Sequence, residues 1–562
     1  MINLGLQRIA RLLQHIAQTH FQQPHFNPPW KVVHIAGTNG KGSVAAYLST
    51  LLRQQGSRED GTSLRVGRFT SPHFIDRWDC IQINDEPVSK AVFLETEDKV
   101  KAIAKVVEEE LRSEARRQSS AIPAEDRQTI EQVDADARLT EFELLTATAF
   151  AIFSEPAPRP CDVAVVECGL GGRLDATNAL PDSAIAVSVI TSIGLDHLAM
   201  LGGSLESIVK EKCGIVRRDV PVIINQDWGV EATGMIFRAI GERFEHKEIG
   251  SNQDVLIALN GIVGQHQPNF KEEDLGDEIA LEGNHPTLLS LMPHQLANLS
   301  LAFAAFSRVA VAISKQHEAL SCLSATLCED VLQDASKSYP ARLQLLQPGW
   351  LQDTVAAQSL PLLNRTNVLL DGAHNAQSAE VLRKYLDEKL LTRPRSSRSS
   401  RNQQPKRPEI WVIALSSTKP PSEVLAEFFP QLVSEPDPTS EDSARHSSLS
   451  SPARIIFTSF GPVDGMPWVR PASIDALLHC ANRLIPSLNV VEPPADNIAE
   501  ALGAVEGILA EWDESRNAKH EQGPLVVVAG SLYLCSDFLR FVRDGRLAFS
   551  THQGEVSADL AS

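Results

Sequence analysis

Between His34 and Ser43 the chain reads HIAGTNGKGS. Glycines let backbone N–H groups close on an anion, a lysine brings positive charge to terminal phosphates, and a serine hydroxyl can ligate a divalent cation. The spacing departs from the strict G-x-x-x-x-G-K-[ST] pattern: Ile35 stands at the first glycine position, and Gly42 separates Lys41 from Ser43. On this stretch alone two readings stay open, a nucleotide cradle and a glycine-rich turn without a ligand. A second stretch, VAVVECGLGGRLDATN from Val163 to Asn178, ends an apolar run on Glu167 and follows it with Gly169, Gly171, Gly172, Arg173 and Asp175. An acid at a strand end is either structural or part of a metal and anion site, and the glycines with Arg173 and Asp175 favour the site. A third, VSVITSIGLDHLAMLGGSLESIVKEKCGIV, places Asp196 and His197 after another apolar run and Lys212 further along a helical pattern. His197 by itself reads equally as a packing histidine.

These residues need strands and helices to hold them. The run KVVHIA before the first loop is strand-like and VAAYLSTLL after it is helix-like, so the loop would sit where a strand delivers the chain to a helix N-terminus. Further β-branched runs fall at Val163–Val166, Ala184–Ile190, Val222–Ile224, Val368–Leu370, Ile410–Ala414, Ile455–Phe457 and Leu525–Ala529. Runs without alternation suit strands covered on both faces, so the expected class is α/β with mainly parallel sheets. A helical stretch is expected from Pro293 to Val331 and a domain boundary just beyond it, giving residues 1–338 and 339–562. Polar segments at Ser113–Asp136, 393–408 and 434–452 are expected to be surface insertions. The opening MINLGLQRIARLLQHIAQ has a helical period and carries Arg8 and Arg11 without an acid, which fits a first helix or a mitochondrial presequence.

The 562 residues exceed one ordinary core, and 43% hydrophobic with 22% charged residues is the balance of a soluble globular protein. A net charge of −19 argues against a general nucleic-acid binder, and no apolar run approaches the length of a membrane span. The eight cysteines show no CxxC pair, which suits a reducing compartment, the cytoplasm.

Taken together the stretches resemble the Mur ligase superfamily and, within it, the folylpolyglutamate synthase/dihydrofolate synthase family. The resemblance runs in order through HIAGTNGKGS, FTSPH (Phe69–His73), TEFELLTATAF (Thr140–Phe150), VECGLGGRLDATN, GLDH, EKCGI (Glu211–Ile215), HQLAN (His294–Asn298), the PAR of Pro340–Arg342, LLDGAHN (Leu369–Asn375) and GSLYL (Gly530–Leu534). It implies a P-loop-type, mainly parallel-sheet ATP-binding domain followed by a smaller Rossmann-like α/β domain. It also implies a reaction in which ATP activates a carboxylate as an acyl phosphate that an amino acid then attacks.

By the same resemblance, Gly37, Thr38, Asn39, Gly40, Lys41, Gly42 and Ser43 would hold ATP, with Asn298 on the adenine, Arg342 on phosphate and Asp371 on the ribose. Ser43, Ser71 and Glu167 would hold one Mg²⁺, and His197 would serve a second with Glu167 between them. Lys212 matches a lysine that can be carbamylated. Phe142, Asp175 and Ala176 match a pterin pocket, and His374 and Ser531 lie at positions near the incoming L-glutamate. Lys41, His197, Lys212, Arg342 and His374 are the implied catalytic group. The implied partners are ATP, dihydropteroate (or folate) and L-glutamate, acted on by a monomer.

Within the family the chain resembles the fungal dihydrofolate synthases in TEFELLT, GMPW (Gly465–Trp468) and GSLYLC. It carries Asn39 and FIDRWDCIQIND (Phe74–Asp85) where eukaryotic polyglutamate synthases read GTKGKGS and a VRERIRING-like run. Transfer of pterin contacts is weakest there: Arg77, Trp78 and Asp79 either line the pocket or pack the loop. The alternatives are a folylpolyglutamate synthase, a bifunctional enzyme, or a nucleotide-binding regulator that lost catalysis.

Overall fold

The computed structural model describes residues 5–56, 62–120, 129–194, 201–225, 234–236, 238–240, 255–259, 262–266, 279–281, 291–314, 322–323, 325–352, 354–391, 407–433, 453–514 and 523–545. His197, the 434–452 segment and all of 393–408 except Arg407 and Pro408 lie outside the described residues. Two compact units make up the chain, Met1–Tyr339 and Pro340–Ser562.

The first unit is built on strands β1 (Lys31–Ala36), β2 (Val66–Phe69), β3 (Ile81–Ile83), β4 (Glu86–Pro87), β5 (Val163–Glu167), β6 (Ile185–Ile190), β7 (Val222–Asn225), β8 (Val255–Leu259), β9 (Ile262–His266), β10 (Ile279–Leu281) and β11 (Cys322–Leu323). They form one sheet in the order β11-β10-β9-β8-β7-β6-β1-β5-β2-β3-β4, and from β8 to β2 every neighbour is parallel. The alternation of a strand distributes its side chains between two cores. On β5, Ala164 and Val166 face the cluster of Ile9, Leu12, Phe150 and Phe153, while Val163 and Val165 face that of Val44, Leu48 and Phe303. The helices that cover these faces are α1 (Leu6–Thr19), α2 (Lys41–Gln55), α3 (Lys90–Ser120), α4 (Ile130–Ala137), α5 (Glu141–Ser154), α6 (Leu205–Cys213), α7 (Pro293–Ser314) and α8 (Ala325–Ser338).

Helix α1 is a core element. Ile9, Leu12, Leu13 and Ile16 are buried, Arg8 pairs with the buried Glu143 at 3.2 Å, and Arg11 pairs with Glu114. Thr140 and Glu143 form a reciprocal capping box that starts α5, so part of the TEFELLT motif is a helix-start signal. Two expectations need correction. Ser113–Asp136 is not simply a loop: α3 runs to Ser120, α4 starts on a capping box at Thr129, and Val133 is buried. The stretch expected as helical from Pro293 to Val331 contains α7, the short strand β11 and the start of α8.

The second unit carries β12 (Gln344–Leu346), β13 (Asn367–Leu370), β14 (Glu409–Ile413), β15 (Ala453–Phe457), β16 (Asn489–Val490) and β17 (Leu525–Ala529), in the order β12-β13-β17-β14-β15-β16. Only the β12–β13 pair is antiparallel. Helices α9 (Ala376–Tyr385), α10 (Pro421–Phe428), α11 (Pro430–Val433), α12 (Ile474–Leu484), α13 (Ile498–Glu514) and α14 (Leu532–Asp544) complete it. Both units are thus mainly parallel α/β, as the strand runs predicted. Arg407 and Pro408, at the end of the expected insertion, are bonded beside this sheet: Arg407 Nε donates to the Gly523 carbonyl at 2.7 Å, and Leu525 N–H donates to the Pro408 carbonyl at 2.9 Å.

Candidate active site

In the first unit the candidate residues gather beyond the carboxyl ends of β1, β5, β6 and β2, where open parallel sheets bind ligands. The β1–β6 register, Ala36 against Ile190, sets Gly37 beside Thr191. Bonds to Thr191 and Ser192 of the TSIG run then shape the loop. Thr38 N–H donates to the Ser192 carbonyl at 2.6 Å and Asn39 N–H to Ser192 Oγ at 3.0 Å, while the hydroxyls of Thr191 and Ser192 donate to the Asn39 carbonyl at 2.8 and 2.9 Å. The main-chain donors of Thr38 and Asn39 are therefore spent on the loop. Those left for an anion are the opening N–H groups of α2, from Gly40 onward, which have no intrahelical acceptor. Gly40 caps α2 with φ 88°, and a Cβ there would lie 2.5 Å from Asn298 Oδ1, so only glycine fits and Asn298 adjoins the cradle.

Lys41 Nζ stands 3.7 Å from Glu167 Oε1 and donates to the Thr38 carbonyl at 3.2 Å. Glu167 is 3% exposed at the end of β5, and its Oε2 accepts from Ser71 N–H at 3.4 Å. Lys41, Ser71 and Glu167 are thus brought together, with Ser43 in the same first turn of α2 as Lys41. Lys212, near the end of α6, is buried, and its Nζ donates to the Gly37 carbonyl at 2.6 Å. Among the described residues no group of three His, Cys, Asp or Glu side chains forms a ligand set.

The pterin candidates surround the glycine turn after β5. The Phe142 ring packs against Gly169, where a Cβ would lie 2.5 Å from Cζ, and stacks on Phe69 at 6.1 Å between centroids. Asp175 is buried and already engaged: Oδ2 accepts from Leu170 N–H at 2.8 Å, and Oδ1 accepts from the N–H and hydroxyl of Thr177 at 3.0 and 2.5 Å. Burial raises its pKa against those bonds. Ala176 packs into the core of α1 and α5. Behind them His34 Nε2 lies 2.8 Å from Thr177 Oγ1 and 3.2 Å from Cys168 Sγ; complete burial, with Arg217 nearby, lowers its pKa to about 3 and keeps it neutral. In the loop after SPH, the Asp79 carboxylate accepts from Phe74, Ile75 and Asp76 N–H, Arg77 pairs with Glu97, and Trp78 packs on Phe93.

In the second unit the candidates lie around the carboxyl ends of β13 and β17. Arg342 is flanked by Ala341 at φ 58° and Leu343 at φ 48°, two non-glycine residues in the left-handed region. Asp371 steadies that turn: Oδ2 accepts from Leu343 N–H at 2.7 Å and Oδ1 from Ala373 N–H at 2.8 Å. Burial pushes its pKa up. Arg342 Nη1 donates to the Ala341 carbonyl at 2.9 Å and would be 2.7 Å from a Cβ on Gly372. His374 Nδ1 pairs with the Gly372 carbonyl at 2.8 Å, and buried Ser531 caps α14 by accepting from Tyr533 N–H at 3.2 Å.

Sequence reasoning passed over Thr191, Ser192 and Tyr339. The first two stand in the quoted TSIG run, but only the β1–β6 register reveals what their hydroxyls hold.

This combination of a glycine loop on one parallel sheet and a second parallel-sheet unit is the fold of a solved bifunctional folylpolyglutamate synthase/dihydrofolate synthase, crystallised with Mn, AMPPNP and L-glutamate bound. The match has a TM-score of 0.55 and 21% identity over 96% of this chain and 94% of that one. The dihydrofolate synthetase of Saccharomyces cerevisiae is 30% identical over 96% of this chain and 98% of its own length. The probable dihydrofolate synthetase of Schizosaccharomyces pombe is 29% identical over 96% and 99%. The family model of the dihydrofolate synthetase C-terminal domain matches residues 359–434 and 446–541. The chain belongs to the folylpolyglutamate synthase/dihydrofolate synthase family.

Proposed function

We propose that this protein is a dihydrofolate synthase, an ATP-dependent ligase that joins L-glutamate to 7,8-dihydropteroate and yields dihydrofolate, ADP and phosphate. The observation that carries the reading is its similarity along nearly the whole chain to the S. cerevisiae dihydrofolate synthetase. A carboxylate is a poor electrophile, so the reaction runs in two steps. A dihydropteroate carboxylate oxygen attacks the γ-phosphorus of ATP and ADP leaves. The glutamate amine then attacks the acyl carbon of the resulting acyl phosphate, and phosphate departs with the oxygen that attacked.

In this reading Lys41 and the opening N–H groups of α2 hold the charge of the transferring phosphoryl group. Gly37, Thr38 and Asn39 shape the cradle, Asn298 contacts the adenine, Arg342 a phosphate and Asp371 the ribose. The oxygen donors around Glu167 fit a hard cation: a buried carboxylate beside Ser71, with the Ser43 hydroxyl in the adjacent helix turn. Ser43, Ser71 and Glu167 would hold one Mg²⁺ and His197 a second, shared with Glu167. Bound there, Mg²⁺ supplies charge neutralisation to the phosphates. Lys212 is assigned to the same neighbourhood, with carbamylation supplying an anionic oxygen. Phe142, Asp175 and Ala176 form the pterin side, and His374 and Ser531 receive glutamate. The enzyme is taken as a cytoplasmic monomer, in keeping with the lack of any disulfide among the described cysteines. No described helix is long and apolar enough to cross a membrane.

The bifunctional relative favours one second reading, extension of folate polyglutamate tails. Purified protein given ATP, Mg²⁺ and labelled glutamate should incorporate label with dihydropteroate. Incorporation with tetrahydrofolate alone would make it a polyglutamate synthase, and incorporation with both a bifunctional enzyme. Incorporation with neither would favour the regulator that lost catalysis.

A further inference from the structure

Gly42 is the residue that breaks the strict phosphate-loop spacing. It lies in the first turn of α2 and has no left-handed backbone, a setting in which alanine is ordinarily the better residue. A methyl group built on it would coincide with the hydroxyl oxygen and Cζ of Tyr339 and lie 3.0 Å from Cε1. Tyr339 is the last residue of the first unit, and the chain is fixed where it carries that ring. Its N–H donates to the Ala335 carbonyl at 2.9 Å. The preceding Ser338 carbonyl accepts from Arg68 Nη2 at 2.9 Å and Gln82 Nε2 at 3.1 Å, and Arg68 is itself buried between Asp85, Ser49 and Gln82.

From this geometry we infer that Tyr339 is a positioning residue for the phosphate cradle. Its ring and hydroxyl fill the volume a side chain at 42 would take, and hold the first turn of α2 with Lys41 on one side and Ser43 on the other. The extra glycine between that lysine and serine admits the ring. This rests on reading His34–Ser43 as the nucleotide cradle, and it adds a residue three positions before Arg342 to the parts that set the cradle's shape.

The test is a double-mutant cycle between positions 42 and 339, read as KM for ATP, kcat and ADP affinity by calorimetry. Alone, Gly42→Ala drives the methyl into the tyrosine, lowers the melting temperature and cuts kcat/KM for ATP by about 100-fold, the cost of a misplaced cradle. Tyr339→Phe keeps the ring and stays within about threefold of the parent. Tyr339→Ala raises KM for ATP by about tenfold, more than it lowers kcat. In the Tyr339→Ala background Gly42→Ala changes kcat/KM by less than about threefold and raises the melting temperature, because alanine then stabilises the helix freely. If Tyr339→Ala does not fold, Tyr339→Leu, which also vacates the hydroxyl and Cζ positions, takes its place. An equal loss from Gly42→Ala in both backgrounds, or no loss in the parent, overturns the inference. Lys41→Ala separates the two levels. Undiminished ADP affinity and turnover in that variant would remove the cradle reading itself, whereas an inactive Lys41→Ala with no rescue removes only the role of Tyr339.

Discussion

The Lys41–Glu167 pair of the first unit and the candidate residues of the second are held in opposite ways. In the first, Lys41 and Glu167 face each other across 3.7 Å at the ends of two elements, and backbone and hydroxyl groups of neighbouring loops do the structural work. In the second, Asp371 gives both carboxylate oxygens to backbone N–H groups, Ser531 caps its helix and His374 bonds within its own turn. The difference teaches that matching residue types do not carry matching roles. A lysine in the first turn of a helix, 3.7 Å from a buried carboxylate, carries charge at the loop, whereas a buried aspartate with two main-chain donors first holds a strained turn in place.

The sharpest way to break this contrast is to remove one residue from each side. Lys41→Ala should lower kcat/KM by at least about 10³-fold while leaving the melting curve unchanged. Most activity retained would refute the phosphate-cradle role. Glu167→Gln keeps size and removes charge, so we expect a loss of about 10²-fold that excess Mg²⁺ partly restores. An unaltered Mg²⁺ titration would show that Glu167 holds no metal. Asp371→Ala should differ from Lys41→Ala in its effect on stability. With the N–H groups of Leu343 and Ala373 orphaned, it should destabilise the second unit by about 2–4 kcal/mol in urea unfolding. Unchanged stability with lost activity would make Asp371 a pure ligand contact.

His34 sharpens the structural side of the first unit. Its folded pKa is pushed down to about 3 from an ordinary 6.5, so the unfolded chain binds the extra proton between these values. Its contribution to stability is complete above pH 6.5 and is lost as pH falls towards 3. At pH 5 the loss is about 2 kcal/mol, and His34→Gln should flatten that part of the pH profile. An identical acid slope in the variant would contradict the neutral, buried imidazole. The smallest effect concerns the second unit: deleting residues 393–406 should shift stability by less than about 0.5 kcal/mol, whereas extending the cut through Pro408 should lower it measurably. Equal outcomes would show that the Arg407–Pro408 bonds contribute nothing.

Much of this was legible in the chain because buried parallel strands write themselves as β-branched runs; the eight runs noted are all strands. Strand β2 was not, because VGRF contains a glycine and Arg68, whose charge is met only in three dimensions by Asp85. The break between α7 and α8 was hidden by continuous helical patterning, and the helices within Ser113–Asp136 by their charge. At the site, Lys41, Glu167, Ser71 and Asn298 could be named from their types and motifs. Thr191, Ser192 and Tyr339 could not, since hydroxyls and a tyrosine far along the chain acquire meaning only from register and close approach.

The most direct test of the proposed chemistry follows the carboxylate oxygen. Dihydropteroate labelled with ¹⁸O in its carboxylate should be turned over with ATP, Mg²⁺ and glutamate, and the released phosphate analysed by mass spectrometry. Acyl-phosphate activation predicts one ¹⁸O in phosphate for each dihydrofolate formed, with the other retained in the new amide. Dihydrofolate formed without label in the phosphate would contradict the account.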